Sequence, residues 1–437
     1  MRRCKFVSVT LLTMACAMGE PGGQWAAGQE PARPNIVLIM ADDLGAESIG
    51  SYGSANYDTP RLDELASTGV RFTQCYSYPL CTPSRVAIMT GRHNDLNYEA
   101  FGVLPPTERT FAHMLRDAGY ATGVVGKWQL YGRQEGWEGK GATPEQAGFD
   151  QYCLWQIVER GKRYADPVIK KKGEPLRTYE EAYGPDIFTD YAIDFMKANK
   201  DEPFFLYFPM CLTHTPFVPT PLSDGWDGDR YDDKNKYFAD MVAYTDHIVG
   251  RLVDALDAIG ERDNTVVMFT GDNGTHGRIE STMRDGSTIR GAKGKPTKAG
   301  THVPFIVNWP DGIDEEKERD ALISFVDFVP TLAELADAEL PDDRMIDGRS
   351  FLGLLTGQSI EERDWIYCDY APDWGSFEPS RYVQDTRWKL YDSGEFYEFQ
   401  RDPLEERPLA VEGLVGDAAQ AYETLRNALE HMKSRTM

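Results

Sequence analysis

The chain lacks an excess of positive charge: 70 Asp and Glu stand against 46 Lys and Arg over 437 residues, a formal charge of −24. That balance favours solubility and excludes general attraction to nucleic acid. Any anionic ligand must be held by a local cationic pocket. Long apolar runs are scarce as well. The run from Phe6 to Met18 is too short for a membrane span, so no stable membrane insertion is expected. Internal repeats and low-complexity segments are absent. Cysteine is sparse, with seven in all, and two of these, Cys4 and Cys16, fall in the N-terminal segment. What is present is globular in kind, with 41% hydrophobic and 12% aromatic residues. The length suits one large core and a smaller appended domain.

The N-terminus reads as an export signal over residues 1–27. Arg2, Arg3 and Lys5 precede the apolar run, and Ala15-Cys16-Ala17 offers a small-residue cleavage site, with Ala27 a later alternative. The expected location is periplasmic or extracellular. Thr13-Met14-Ala15-Cys16 resembles a lipoprotein box without its usual Leu, so lipid anchoring ranks below simple secretion. Removal of the signal leaves Cys75, Cys81, Cys153, Cys211 and Cys368. If Cys81 is modified, four remain, which permits disulfides without requiring them.

Asn35 to Met40 is a continuous apolar strand of the type buried on both faces of a parallel sheet, and Asp42-Asp43 follows it. Thr122 to Val125 leads into Gly126-Lys127-Trp128, Pro203 to Phe208 leads to His214, and Thr265 to Thr270 runs into Asp272-Asn273. Further strand character lies at Val303 to Asn308. Helical spacing marks Leu62–Ser67, Cys81–Met89, Thr110–Ala118, Phe188–Asn199, Tyr237–Ile259 and Phe325–Ala338. Tyr131 to Pro185 has no clear period and is expected to be loop and insertion. After Pro341-Asp342-Asp343, short strands at Trp365–Cys368, Arg381–Gln384, Trp388–Tyr391 and Phe396–Phe399 precede a helix over Asp417–Met432. The pattern predicts an α/β domain over residues 32–364, with a central mostly parallel sheet flanked by helices. A smaller α+β subdomain over 365–437 follows it.

Four predicted strands thus end in polar residues, and open α/β sheets bind ligands at the carboxyl ends of their strands. Asp42, Asp43, Asp272 and Asn273 make an oxygen-only set without paired His or Cys, suited to a hard cation such as calcium. Either pair alone would read as a turn or cap. Lys127 and Lys293 are flanked by Gly, which permits close approach of backbone to a ligand.

The most specific segment is Cys81-Thr82-Pro83-Ser84-Arg85. Pro83 suits a first helical turn and so places Cys81 at a helix N-terminus, with Arg85 four residues on and near its face. An isolated Cys before a helix is otherwise a small core residue. The pentapeptide resembles the signature of type I sulfatases, in which the Cys is oxidised to formylglycine. The resemblance spans roughly Pro34 to Leu409 and implies an alkaline-phosphatase-like fold. It implies calcium held by Asp42, Asp43, Asp272, Asn273 and an oxygen of modified Cys81. Sulfate would be gripped by Arg85, Lys127 and Lys293, and His214, in His214-Thr215-Pro216, would protonate the leaving alcohol. A maturing enzyme that converts Cys81 is then an implied partner, and a sulfated carbohydrate the implied substrate.

Two departures from the family pattern stand out. Gln129 occupies the place of a histidine; it can hydrogen-bond a sulfate but cannot change charge. His93 follows Gly91-Arg92, yet the usual His-Gly pair after it is missing. His93, His276 and His302 join Gln129 as candidate substrate contacts. Trp137, Tyr152, Trp155 and Tyr164 of the insertion either stack on sugar rings or pack beneath a long loop. The alternatives are a phosphate or phosphonate monoester hydrolase, and a sulfated-glycan-binding protein whose Cys81 is never converted.

Overall fold

A computed structural model describes residue 1 and residues 33–313 and 317–435. The expected export segment, with Cys4, Cys16 and both cleavage sites, lies outside the described residues. Among these residues no helix is long and apolar enough to cross a membrane.

The chain forms β1 (Asn35–Ala41), β2 (Val70–Tyr76), β3 (Ala121–Lys127), β4 (Gln151–Trp155), β5 (Val168–Lys171), β6 (Arg177–Thr178), β7 (Phe204–Pro209) and β8 (Thr265–Gly271). A hairpin, β9 (Glu280–Thr282) and β10 (Thr288–Arg290), precedes β11 (Phe305–Asn308) and β12 (Lys317–Ser324). All but the hairpin join one ten-stranded sheet in the order β12-β2-β11-β8-β1-β7-β3-β4-β5-β6. At its centre β8, β1, β7, β3 and β4 run parallel. β11 opposes its neighbours β8 and β2, while β12 lies parallel to β2.

β1 shows why the sheet is central. All seven of its residues are buried, and its alternate side chains divide between two cores. Ile36, Leu38 and Met40 pack with Val86, Met114, Leu115, Val329 and Leu332, from helices Cys81–Thr90, Phe111–Asp117 and Phe328–Leu335. Val37 and Ile39 pack with Leu62, Phe188, Phe195, Val249 and Leu252, from helices Pro60–Ser67, Gly184–Ala198 and Tyr237–Ile259. The result is a three-layer sandwich, and each fully buried aliphatic side chain contributes about 1.5–3 kcal/mol.

The tail forms an antiparallel sheet of β13 (Ile366–Tyr370), β14 (Ser380–Gln384), β15 (Lys389–Tyr391) and β16 (Phe396–Tyr397) in sequential order. It packs Tyr367, Val383, Leu390 and Phe396 on Leu425, Leu429 and Met432 of helix Gly416–Ser434. Cys368, Tyr370 and Tyr382 join the larger core.

Two expectations are corrected, and one question left open is answered. Residues 131–185 are not only loop, because β4 inserts there as a parallel strand beside β3. β2 and β12 also enter the sheet where no strand is expected. Cys75, Cys81, Cys153, Cys211 and Cys368 are all buried free thiols, so the permitted disulfides are not formed.

Candidate active site

The four predicted strand ends are those of β8, β1, β7 and β3, which lie side by side and parallel. They deliver Asp272-Asn273, Asp42-Asp43, His214 and Lys127 to one edge. β2 brings the chain to the same edge, where Cys81 opens helix Cys81–Thr90. Leu80 stands at the N-cap without a side-chain cap, leaving the first N–H groups of the turn to other acceptors.

Beneath the cleft the charges interlock. Lys127 Nζ donates to Asp42 Oδ1 and Oδ2 at 3.0 and 2.8 Å, and Lys293 Nζ donates to Asp43 Oδ2 at 2.6 Å. Arg85 donates to Asp272 Oδ2 through Nε at 3.3 Å and Nη2 at 3.1 Å. Its Nη1 donates to the Lys127 carbonyl at 3.0 Å. Asn273 Nδ2 donates to Asp43 Oδ1 at 2.9 Å, and the Asp43 N–H donates to Asp272 Oδ1 at 3.0 Å.

Burial alone would raise every carboxyl here. At Asp42, Lys127 and then His214 outweigh burial and hold the group far below the usual range. At Asp43, Lys293 has the same effect. Asp272 goes the other way, pushed up to about 7 by burial and by the charge of Asp42. Burial likewise raises the Cys81 thiol, with Lys127 and Lys293 opposing, so an unmodified Cys81 is a poor nucleophile.

Above this layer lies a cavity of about 390 Å3 whose walls include Cys81, Lys127, Gln129, His214 and Lys293. Cys81 Sγ donates to Gln129 Oε1 at 3.7 Å. Gln129 and Asp43 hold positive φ, 55° and 62°, a backbone strain that concentrates at working sites. Gly126 makes the local geometry possible: at φ +108° a Cβ would stand 2.2 Å from the Pro209 carbonyl.

His214 is clamped on one edge. Its Nδ1 lies 2.8 Å from Arg163 Nη2 and 2.7 Å from the Thr215 carbonyl, which turns Nε2 toward Asp43 Oδ2 at 3.8 Å. Burial, helped by Lys293, depresses its pKa to about 3.

The remaining candidates lie elsewhere. Arg85 is behind the cradle, with its donors taken by Asp272 and the Lys127 carbonyl, and does not line the cleft. His93 is buried, its Nδ1 3.1 Å from the Tyr78 hydroxyl and its ring against Tyr367. His302 is bonded to the Thr73 carbonyl at 2.8 Å. His276 packs against Phe217 and accepts from the Arg278 N–H at 3.1 Å. None of these three histidines lines the cleft.

The sequence reading missed several walls: Arg160 and Arg163, and Trp374 and Phe377 from the C-terminal subdomain. Trp374 stacks on Phe101 at 4.7 Å and 8°. The run Arg160-Gly161-Lys162-Arg163 in so acidic a chain was the available signal for the first two. Of the insertion aromatics, Trp155 reaches the cleft, whereas Trp137, Tyr152 and Tyr164 do not line it.

The residues present fit a hard cation. Asn273 Oδ1 is buried and accepts no hydrogen bond, and Asp42, Asp43 and His214 bring ligand atoms within 4.8 Å of one another. An unpartnered amide oxygen among carboxylates suits a hard cation better than a soft one.

A cationic cradle under a buried Cys at the carboxyl edge of a parallel sheet defines a hydrolase site for an oxyanion ester. The sulfatase family profile matches residues 34–338, and a profile for the C-terminal region of N-sulphoglucosamine sulphohydrolase matches 297–435. The chain belongs to the sulfatase family, hydrolases of sulfate esters. It is 29% identical to an N-acetylgalactosamine-6-O-sulfatase of Bacteroides thetaiotaomicron, over 93% of this chain and 94% of that one. It is 31% identical to the steryl-sulfatase of Mus musculus, over 83% of this chain and 70% of that one. A structure solved in work on glycosaminoglycan metabolism by Bacteroides thetaiotaomicron superposes with a TM-score of 0.73 at 25% identity. The match covers 92% of this chain and 99% of that one.

Proposed function

We propose that this sulfatase is exported and removes sulfate from a sulfated carbohydrate, using formylglycine at position 81 and a calcium ion. The observation that carries the reading is that Lys127 and Lys293 line the same cleft as Cys81 with N–H donors to spare. Lys127 commits two donors to Asp42 and Lys293 commits one to Asp43, and an ammonium has three.

Formylglycine, once hydrated, supplies an oxygen nucleophile and a second hydroxyl through which the enzyme can be regenerated. Asp42, Asp43, Asp272 and Asn273 would hold calcium, which supplies Lewis acidity next to position 81. The chain's own residues do the rest. The free donors of Lys127 and Lys293 bind sulfate oxygens and offset charge as it builds on the transferring group. Arg85 fixes Asp272 and the end of β3, so its part is to hold the cradle in register. Gln129 hydrogen-bonds at position 81, and His214, once the charge of a bound sulfate offsets that of Lys293 and favours its protonated form, donates a proton toward the leaving alcohol.

A carbohydrate is favoured over a sterol by the walls. Arg133, Gln134, Gln156 and Arg160 surround the mouth, which suits a polar polyol, while Trp374 on Phe101 offers a face for a sugar ring. Residues 32–364 then carry the catalysis, and 365–437 form a subdomain that lends Trp374 and Phe377 to the mouth.

The test pairs two measurements on protein made with a sulfatase-maturing enzyme. The mass of the peptide containing Cys81 should show the aldehyde in place of the thiol. A panel of sulfated saccharides beside matched aryl sulfate and aryl phosphate should show sulfate release from a saccharide. Faster hydrolysis of the phosphate overturns the sulfatase reading of the site, and an unconverted, inactive protein that still binds the saccharides makes it a binding protein.

A further inference from the structure

Beside the reaction cleft lies a second cavity of about 210 Å3. The two share Trp155, Arg160 and Arg163 as a common wall. Lys162 and Arg230 stand on the other sides of the second cavity, so four cationic side chains converge on it in a chain of formal charge −24. Among the described residues, the carboxylate paired with them is Asp166, 3.8 Å from Arg230. Asp166 is also engaged by the Tyr231 hydroxyl and the Glu181 N–H. Lys162 Nζ bonds the Tyr231 hydroxyl at 2.7 Å.

Arg163 is the telling member. It is 7% exposed, its guanidinium lies 4.8 Å from the centre of the Trp155 ring, and its Nε is buried without a hydrogen-bond partner. No carboxylate of the described residues forms an ion pair with Arg163 or Arg160, whereas Arg85, Arg251, Arg363 and Arg381 all have one. A buried guanidinium without an ion pair is costly to maintain unless an anion completes it. Guanidinium forks match the paired oxygens of sulfate and carboxylate.

We propose that this adjoining cavity is a subsite for a second anionic substituent, a sulfate ester or a carboxylate, on the same saccharide whose scissile sulfate enters the cleft. The inference rests on the carbohydrate sulfatase reading above and narrows its substrate class to saccharides bearing at least two anionic groups. Because Arg163 touches His214, an anion in the subsite also holds the ring on which leaving-group protonation depends.

The experiment compares three matched saccharides: one with the scissile sulfate alone, one with a second sulfate, and one with a carboxylate in its place. The wild type should favour one of the two dianionic compounds by about tenfold or more in kcat/KM, and added salt should erode that preference. Which compound is favoured identifies the anion. Arg160→Gln with Arg230→Gln should cut the preference about tenfold. Arg160→Gln alone, at an exposed side chain without an ion pair, should cut it in the same direction with no risk to folding. A preference near one in the wild type, or one unchanged in both variants, overturns the subsite. If no saccharide is hydrolysed, the catalytic reading falls by itself. Binding of the same three compounds to Cys81→Ala protein, with and without Arg160→Gln, then decides the subsite: weaker binding of a dianionic compound in the variant supports it, and equal binding removes it.

Discussion

Lys127 Nζ donates to both oxygens of Asp42, and both side chains are almost wholly buried at the base of the cleft. Removing one member of such a pair leaves a buried charge uncompensated, at about 3–5 kcal/mol. Lys127→Ala should therefore fold with a lowered melting temperature and lose about 10²–10³ in kcat, because a donor to the transferring group is gone. Thermal unfolding run beside a sulfate-release assay checks both. Turnover at the wild-type rate would remove Lys127 from the cradle.

The unpartnered Asn273 Oδ1 leads to a prediction on the cation. Calcium at 100 times its dissociation constant should add about 2.7 kcal/mol to the stability of the wild type, visible as a rise in melting temperature that a chelator reverses. Asn273→Ala deletes that oxygen together with the 2.9 Å bond to Asp43. Its calcium-dependent rise should shrink, and its calcium-free stability should fall by about 1–2 kcal/mol. A wild type whose melting does not respond to calcium would count against calcium as the ion.

Much of the sheet was legible because its central strands are buried on both faces and so read as unbroken apolar runs, as β1, β7 and β8 do. Helix Tyr237–Ile259 could be read to the residue, since its long apolar stripe ends at Gly260 in the left-handed conformation. β12 could not, because as an edge strand it opens on Lys317, Glu318, Arg319 and Asp320. β2 alternates Val70, Arg71, Phe72 and Thr73 too briefly to stand out. Within the site, the four strand ends converge as expected. The place of Arg85 behind the cradle was not legible, because spacing from Cys81 says nothing of Asp272, 187 residues later, which takes its guanidinium. Trp374 and Phe377 were out of reach for the same reason: their place at the mouth depends on how the tail docks.

Gly126 offers a test of the backbone that presents Lys127. In Gly126→Ala the new Cβ meets the Pro209 carbonyl at 2.2 Å in a φ of +108°, so β3 must move away from β7. The expected loss is about 2–4 kcal/mol, with activity falling further than stability because Lys127 moves with the strand. Denaturant unfolding and kcat/KM measured on the same preparation check this. A variant as stable as the wild type would mean that the strand end can shift freely.

Asp246 carries a pH dependence remote from the cleft. Its Oδ1 accepts from the Leu62 N–H at 2.8 Å and its Oδ2 from the Arg61 N–H at 3.2 Å, at the start of helix Pro60–Ser67. Burial outweighs these bonds and raises the carboxyl from 3.8 to about 6. A raised folded value means the native state binds the proton more tightly than the unfolded chain. The stability it confers is full below about pH 3.8 and is lost as pH rises through about 6. Asp246→Asn removes the titration, so the variant's stability relative to wild type should improve as pH rises from 4 to about 7. At low pH the variant should stand about 1 kcal/mol below wild type, since the amide offers only one acceptor to two N–H groups. Denaturant midpoints at several pH values read the difference directly; a constant gap across that range would show that Asp246 ionises as freely in the fold as in the unfolded chain.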